Sequence, residues 1–343
     1  MKKRLILRLS SLGDVVLATS ALEVFSKNAE LVDWVVAKEY AALLQGHPQV
    51  FKLWEFDRET GIKGWLDLSK KLWRENYDEV FDLHASIRTK ITYFFFFFLG
   101  LFRVGRQTPK WKFISKQRAR FSGYFLLKKF WPRVWRPSPR VELFAKLAGG
   151  NGKERPNLRN LLRSEKRVST ELSNEKYICV MPSSNWRSKN WPVENFLNVL
   201  KKIPAFPVVL GSSKDLASGQ LAAALDHSEM PYFNGVGKWD LGEIAGVLSG
   251  SIGYFGNDTG LAHLAEAVGV PSFVIFGPTV PDMGFGPWRS ESRALESLLG
   301  CRPCGKDGRY CTRFSQRYLC LKGLTPKQVS KTLVQELKME IIR

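Results

Sequence analysis

Three short stretches gather residue types that handle phosphates, hydroxyls and protons. The first is Leu9-Ser10-Ser11-Leu12-Gly13-Asp14, which follows an apolar run and ends where a helix begins. On spacing, Asp14 reads as the cap of that helix; the alternative is a carboxylate able to act as general base. The second is Pro182-Ser183-Ser184-Asn185-Trp186-Arg187-Ser188-Lys189-Asn190-Trp191-Pro192. Hydroxyls, an amide and two cations before a helix that Pro192 can start suit a phosphate site, or an ordinary polar connection. The third is Gly256-Asn257-Asp258-Thr259-Gly260-Leu261-Ala262-His263. Its amides at a helix start can bind a diphosphate. Asp258 would repel a phosphate, so it reads as a helix cap or an acceptor for sugar hydroxyls. His263, one turn after Thr259, faces the same way and reads equally as structural or functional.

A fourth constellation is Cys301-x2-Cys304-x6-Cys311-x8-Cys320. Four thiols opening with CxxC can bind a structural zinc tetrahedrally, although a zinc ribbon uses two CxxC pairs. Free thiols or a redox-dependent disulfide are the alternatives. Cys179 falls in a strand and reads as inert.

The elements that must position these loops alternate between strand and helix, and the strands are short continuous apolar runs, as in a parallel sheet covered on both faces. In the first half the pattern predicts strands at Arg4–Ser10, Val32–Ala37, Glu79–Leu83 and Arg103–Gly105, and a helix at Val15–Phe25. In the second half it predicts strands at Tyr177–Ser183, Pro207–Gly211, Ile252–Gly256 and Ser272–Phe276. Helices are predicted there at Val193–Lys201, Asp215–Leu225, Leu241–Leu248 and Leu261–Val268. The polar segment Asn151–Asn174 reads as a linker. Two Rossmann-like halves with ligands at the carboxyl edges of their strands follow.

The 343 residues carry 52 Lys+Arg against 32 Asp+Glu, a net charge of +20, with 44% hydrophobic and 24% charged residues. That is globular composition, and the length suits two domains. Arg8 and Asp14 interrupt the apolar start, so a secretion signal is not expected. The longest apolar run, Tyr93–Phe102, is too short for a spanning helix, and five cysteines fit a reducing compartment. Twelve Lys/Arg and no Asp or Glu lie between Arg103 and Arg140, interleaved with aromatics. This texture suits single-stranded nucleic acid or an anionic membrane face. No nucleic-acid module accompanies it, which lowers the first option. The pentaphenylalanine Phe94–Phe98 covers every side of a helix, so it is either sandwiched in an α/β core or partly exposed beside a bilayer.

The combination of RLSSLGDVVLATSAL, SSNWRSKNWP and GNDTGLAHLAEAVGVPSFVIFGPT, in that order, resembles glycosyltransferase family 9, the lipopolysaccharide heptosyltransferases. The resemblance implies an α/β GT-B fold, two Rossmann-like domains with parallel sheets facing a central cleft. The acceptor-binding domain would be 1–165 and the nucleotide-sugar domain 166–343, with a C-terminal helix able to pack back on the first. It implies an inverting, metal-independent enzyme using ADP-heptose on an inner-core acceptor, Kdo or heptose, with no required cofactor. Asp14 matches the family's base; Ser183, Ser184 and Lys189 match the residues holding the donor diphosphate. Thr259, Gly260 and Leu261 match the helix-start amides, Asp258 and His263 match residues beside the donor, and Asp215 is the nearest candidate for an acid at the ribose. Expected partners are the ADP-sugar, a lipid A-core precursor and an anionic membrane surface on the cytoplasmic side, not nucleic acid. Arg103, Arg106, Lys110, Lys112 and Arg118 are expected to meet the acceptor or membrane. The competing readings are a transferase using another nucleotide-sugar, and a non-enzymatic nucleic-acid or membrane binder built on 103–140.

Overall fold

A computed structural model of the chain describes residues 2–102, 108–127, 130, 132–159, 161, 172, 176–305 and 307–339. The chain divides into two compact units, 1–117 with 140–161, and 118–139 with 162–343. Arg118–Pro139, expected in the first half, thus groups with the second. The expected boundary at 165/166 and the strand at Arg103–Gly105 lie outside the described residues.

The first unit holds an all-parallel sheet in the order β3-β2-β1-β4-β5, made of β1 (Arg4–Leu7), β2 (Val32–Ala37), β3 (Val50–Phe56), β4 (Glu79–Asp82) and β5 (Lys110–Phe113). The central strands read RLIL, VDWVVA and EVFD and are almost wholly buried, as double-sided helical cover requires. The helix expected over Val15–Phe25 is two, Leu12–Ala18 and Ser20–Lys27. At the break, Thr19 Oγ1 donates to the Val16 carbonyl at 2.7 Å and Ser20 Oγ to that of Val141 at 2.9 Å. The Thr19 bond takes an acceptor of its own helix, a back-bonding that bends or interrupts helices, while the Ser20 bond ties the break to the helix Arg140–Leu147.

The second unit holds the order β11-β10-β9-β6-β7-β8, again all parallel, from β6 (Tyr177–Met181), β7 (Phe206–Val209), β8 (Phe233–Asn234), β9 (Gly253–Asn257), β10 (Ser272–Phe276) and β11 (Arg293–Glu296). Strand order reverses about β6 and β9, so their carboxyl ends form the switch point where an open α/β sheet binds ligands. The C-terminal helix Pro326–Glu336 belongs to the second unit. Val329 and Leu333 are buried with Phe196, Val199 and Phe273 in the second unit's own core.

Candidate active site

In the first unit the loop after β1 carries the proton-handling candidate. Ser11, not Asp14, occupies the cap position of the helix Leu12–Ala18, and Asp14 sits inside its first turn. The cap reading from spacing is therefore corrected. Asp14 Oδ2 instead meets Arg8 Nη2 at 2.6 Å and Ser11 Oγ at 3.4 Å. Arg8 leaves the end of β1 buried, donates Nη1 to the Leu83 carbonyl, and stands 5.5 Å over the Phe144 ring. Burial lowers the Arg8 pKa, with Arg140 adding to the effect and Asp14 opposing it. Nearby, burial and then the Arg8 charge hold His84 down at about 4, so it is neutral at pH 7. A carboxylate clamped through one oxygen, with a cluster of cations behind it, is oriented to present its other oxygen to a hydroxyl.

In the second unit, β6, β9 and β10 converge on the remaining candidates. Lys189 lies on the short turn Arg187–Lys189, and its Nζ pairs with Asp258 Oδ2, which also accepts from Thr279 Oγ1 at 2.9 Å. Asp258 is thus neither the expected cap nor free. Asn257 ties the two loops together: Oδ1 accepts from Trp191 N at 3.1 Å and Nδ2 donates to the Pro182 carbonyl. Next in sequence, Thr259 takes the cap position of the helix Gly260–Ala267 but makes no side-chain cap bond; its Oγ1 turns to Tyr254 Oη at 3.0 Å. The first amides, at Gly260 and Leu261, are left to an external acceptor, the condition under which a helix start receives an anion.

Other expected donor residues are placed differently. Ser183 Oγ is buried between the Ser218 amide and hydroxyl, both at 3.1 Å, and Ser184 Oγ donates to Trp186 O at 2.9 Å and Asn190 Oδ1 at 2.6 Å. Both hydroxyls brace their loop, and with Asp215 they line a hollow of about 770 Å³ that also takes in Arg187 and Lys214 but not Lys189 or Asp258. Asp215 closes its own turn, accepting from Ser212 N at 2.6 Å. His263 is buried and stacks on Trp288, ring centroids 5.6 Å apart.

Sequence reasoning missed the residues that hold these groups. Glu266, one turn beyond His263, accepts from the amides of Trp288 and Arg289, each at 2.9 Å, and so fixes the ring against which His263 lies. Burial pushes its carboxyl up to about 7. Arg302, also buried, donates to the carbonyls of Gly277, Phe276, Thr279 and Ser297. For Glu266 the signal available was a single carboxylate inside the apolar run GLAHLAEAVGV.

The cysteine segment follows from Arg302. Cys304 N donates to Pro278 O at 2.8 Å, Ser188 Oγ donates to Gly308 O at 2.7 Å, and the Arg309 guanidinium stacks 3.9 Å from the Trp186 ring. It braces the turn that bears Lys189. Cys320 is buried in the core, Cys311 Sγ accepts from Tyr318 N, and Cys304 Sγ accepts from Thr312 Oγ1. All five cysteines are free, and among the described residues no three His, Cys, Asp or Glu gather to hold a metal ion. The structural-zinc reading of Cys301, Cys304, Cys311 and Cys320 finds no such group there, although Cys304 and Cys311 lie near enough to Cys320 to add to the burial that raises its thiol pKa.

Of the expected acceptor cations, two lie on β5. Lys110 is exposed on β5, while Lys112 pairs with Glu79 at 3.3 Å. Arg118 begins a helix of the second unit, and Arg103 and Arg106 lie outside the described residues.

Two all-parallel α/β units, one offering a clamped carboxylate and the other a lysine beside an uncapped helix start, have the GT-B fold of glycosyltransferases. The same fold is seen in the E. coli ADP-heptose LPS heptosyltransferase II (TM-score 0.72, 19% identity, 98% of this chain and 99% of that one) and in E. coli heptosyltransferase WaaC with ADP (TM-score 0.67, 17% identity, 97% and 99%). Lipopolysaccharide heptosyltransferase 1 of Pseudomonas aeruginosa is 24% identical over 96% of each chain. Residues 65–312 match the model of glycosyltransferase family 9 (heptosyltransferase), and the chain belongs to that family. It is therefore an enzyme, a glycosyltransferase, and the non-enzymatic binding reading is set aside.

Proposed function

We propose that the enzyme transfers heptose from ADP-heptose to a lipopolysaccharide inner-core acceptor, Kdo or heptose, with inversion at the anomeric carbon. The observation that carries this reading is Lys189 paired with Asp258 beside the uncapped amides of Gly260 and Leu261. A leaving diphosphate needs that combination of cation and oriented donors where charge develops. Asp14 takes the proton of the acceptor hydroxyl as its oxygen bonds to the anomeric carbon; the bond from that carbon to the diphosphate oxygen breaks, and ADP departs with the electron pair. Lys189, drawn from Asp258, and the helix-start amides receive the new charge on ADP. Thr259 and His263 line the donor side, and Ser183, Ser184 and Asp215 act by shaping the loops around it. Lys110 and Lys112 are the described cations proposed to meet acceptor phosphates. The reading places the reaction at the cytoplasmic face of the membrane that holds the lipid acceptor. Support comes from the relatives, one named for ADP-heptose and one bound to ADP. A donor screen with mass detection of the acceptor tests it: a heptose adduct is expected from ADP-heptose alone. A product formed only from another nucleotide-sugar would move the enzyme to that donor.

A further inference from the structure

Among the described residues no helix is long and apolar enough to cross a membrane. The helix Ile87–Leu101 nevertheless turns an apolar surface outward. Its inner face is fixed by buried Thr89, Thr92 and Phe96: Thr92 Oγ1 meets Ser69 Oγ at 2.9 Å, and the Phe96 ring packs edge-on to Trp73 at 5.2 Å and Trp111 at 5.8 Å. With Phe96 inward, helical spacing sends Phe94, Phe97, Phe98 and Leu101 to the opposite side. They are 53%, 46%, 55% and 64% exposed, and Phe102, which ends the helix, is 83% exposed. The rings are continuous: Phe97 and Phe98 lie 5.8 Å apart, and Tyr93 joins Phe97 at 6.5 Å to Phe113 on β5 at 5.3 Å. Single exposed apolar residues are ordinary on a soluble protein, but a joined patch is not. The sandwiched reading of the pentaphenylalanine is thus replaced by an exposed ridge.

Charge selects the occupant. From Leu83 to Val141 the chain has no Asp or Glu. Lys90, one turn before Phe94, and Lys110 on β5 are both exposed. The ridge offers phenylalanine and leucine without hydrogen-bonding groups, flanked by cations. That composition matches the headgroup–acyl boundary of an anionic bilayer, where rings enter the boundary and lysines meet lipid phosphates.

We infer that Phe94, Phe97, Phe98, Leu101 and Phe102, with Lys90 and Lys110, form the surface by which the first unit docks on an anionic lipid bilayer. The inference goes beyond the transferase reading: it shares Lys110 with that reading's acceptor side and uses nothing of its donor side. The helix lies in the interface plane, its inner face remaining in the core of the unit.

Sedimentation of the full chain with phosphatidylglycerol/phosphatidylethanolamine vesicles, and with phosphatidylcholine vesicles, tests this. The wild type is expected to bind the anionic vesicles in a salt-sensitive manner and phosphatidylcholine more weakly. Phe94→Ser/Phe98→Ser/Phe102→Ser should weaken anionic-vesicle binding about tenfold or more, and Lys90→Glu/Lys110→Glu several-fold. Both variants change exposed side chains, so unchanged thermal unfolding confirms that they fold. Transfer to a delipidated, water-soluble acceptor should persist in the triple variant, which separates failure of docking from failure of the transferase reading. Equal binding by the triple variant, or equal wild-type binding to phosphatidylcholine, overturns the inference. So does a wild-type dimer that binds no vesicle and that the triple variant turns into monomers, since a second copy would then be the occupant.

Discussion

Arg8 Nη2 stands 2.6 Å from Asp14 Oδ2, and the Arg8 side chain is only 7% exposed against 23% for Asp14. The proposed base is therefore held by a cation that the fold itself keeps out of water. Removing either partner leaves the other in a site shaped for a pair.

Stability should report this directly. Asp14→Asn strands the Arg8 guanidinium near Arg140 and is expected to lower the unfolding free energy by about 1–3 kcal/mol, less than for a fully buried pair because Asp14 is partly solvated. In urea denaturation, Arg8→Met/Asp14→Asn should be more stable than Asp14→Asn alone. A single variant as stable as the wild type would show that the pair contributes nothing.

Lys189 pairs with Asp258, and the proposed reading has it shared with the incoming diphosphate. Lys189→Met should lower kcat by roughly 10²–10³. It should also weaken ADP binding, because the unpaired Asp258 carboxylate then faces the phosphates. Asp258→Asn removes that repulsion and should retain more ADP affinity than Lys189→Met. Calorimetric titration with ADP separates the two variants, and the reverse order would remove Lys189 from the diphosphate site.

Glu266 gives a pH signature. Its folded pKa, raised by burial to about 7, lies above the unfolded carboxylate value near 4.5, so the folded state binds the proton more tightly. Its contribution is full below about pH 4.5 and is lost as pH rises through about 7, on the order of a few kcal/mol. Unfolding free energy measured between pH 5 and 8 should fall with pH in the wild type and be flatter in Glu266→Gln. Equal slopes would mean that the Glu266 proton is not coupled to folding.

Chelation checks the cysteine segment. Treatment of reduced protein with EDTA should leave both the melting temperature and transfer unchanged, since among the described residues no three His, Cys, Asp or Glu gather to hold a metal ion. Stoichiometric zinc in the purified protein, lost together with stability, would contradict this.

The central strands were legible because burial on both faces writes itself as an apolar run. Val32–Ala37 and Ser272–Phe276 were predicted to the residue. The strands missed were β3, β5, β8 and β11. Three of them, β3, β5 and β11, carry charge (VFKLWEF, KWKF, RALE), and β8 is only two residues long. All four lie at sheet edges, where a strand needs no continuous apolar run. The chemistry-bearing loops were legible for a related reason, since glycine, hydroxyl and lysine cluster at strand ends. What holds each group was not. Arg8 is separated from Asp14 by a turn, while a helix and a strand lie between Asp258 and Thr279 and again between Ser183 and Ser218, contacts that spacing along the chain does not record.

Transfer of heptose from ADP-heptose to a purified inner-core acceptor, followed by mass in a single turnover, tests the central claim most directly when wild type and Asp14→Asn are compared under conditions where both are folded. The wild type is expected to add one heptose, and Asp14→Asn to do so at least about 10²-fold more slowly, with ADP affinity unchanged. Transfer by Asp14→Asn at the wild-type rate would contradict the assignment of Asp14 as the base.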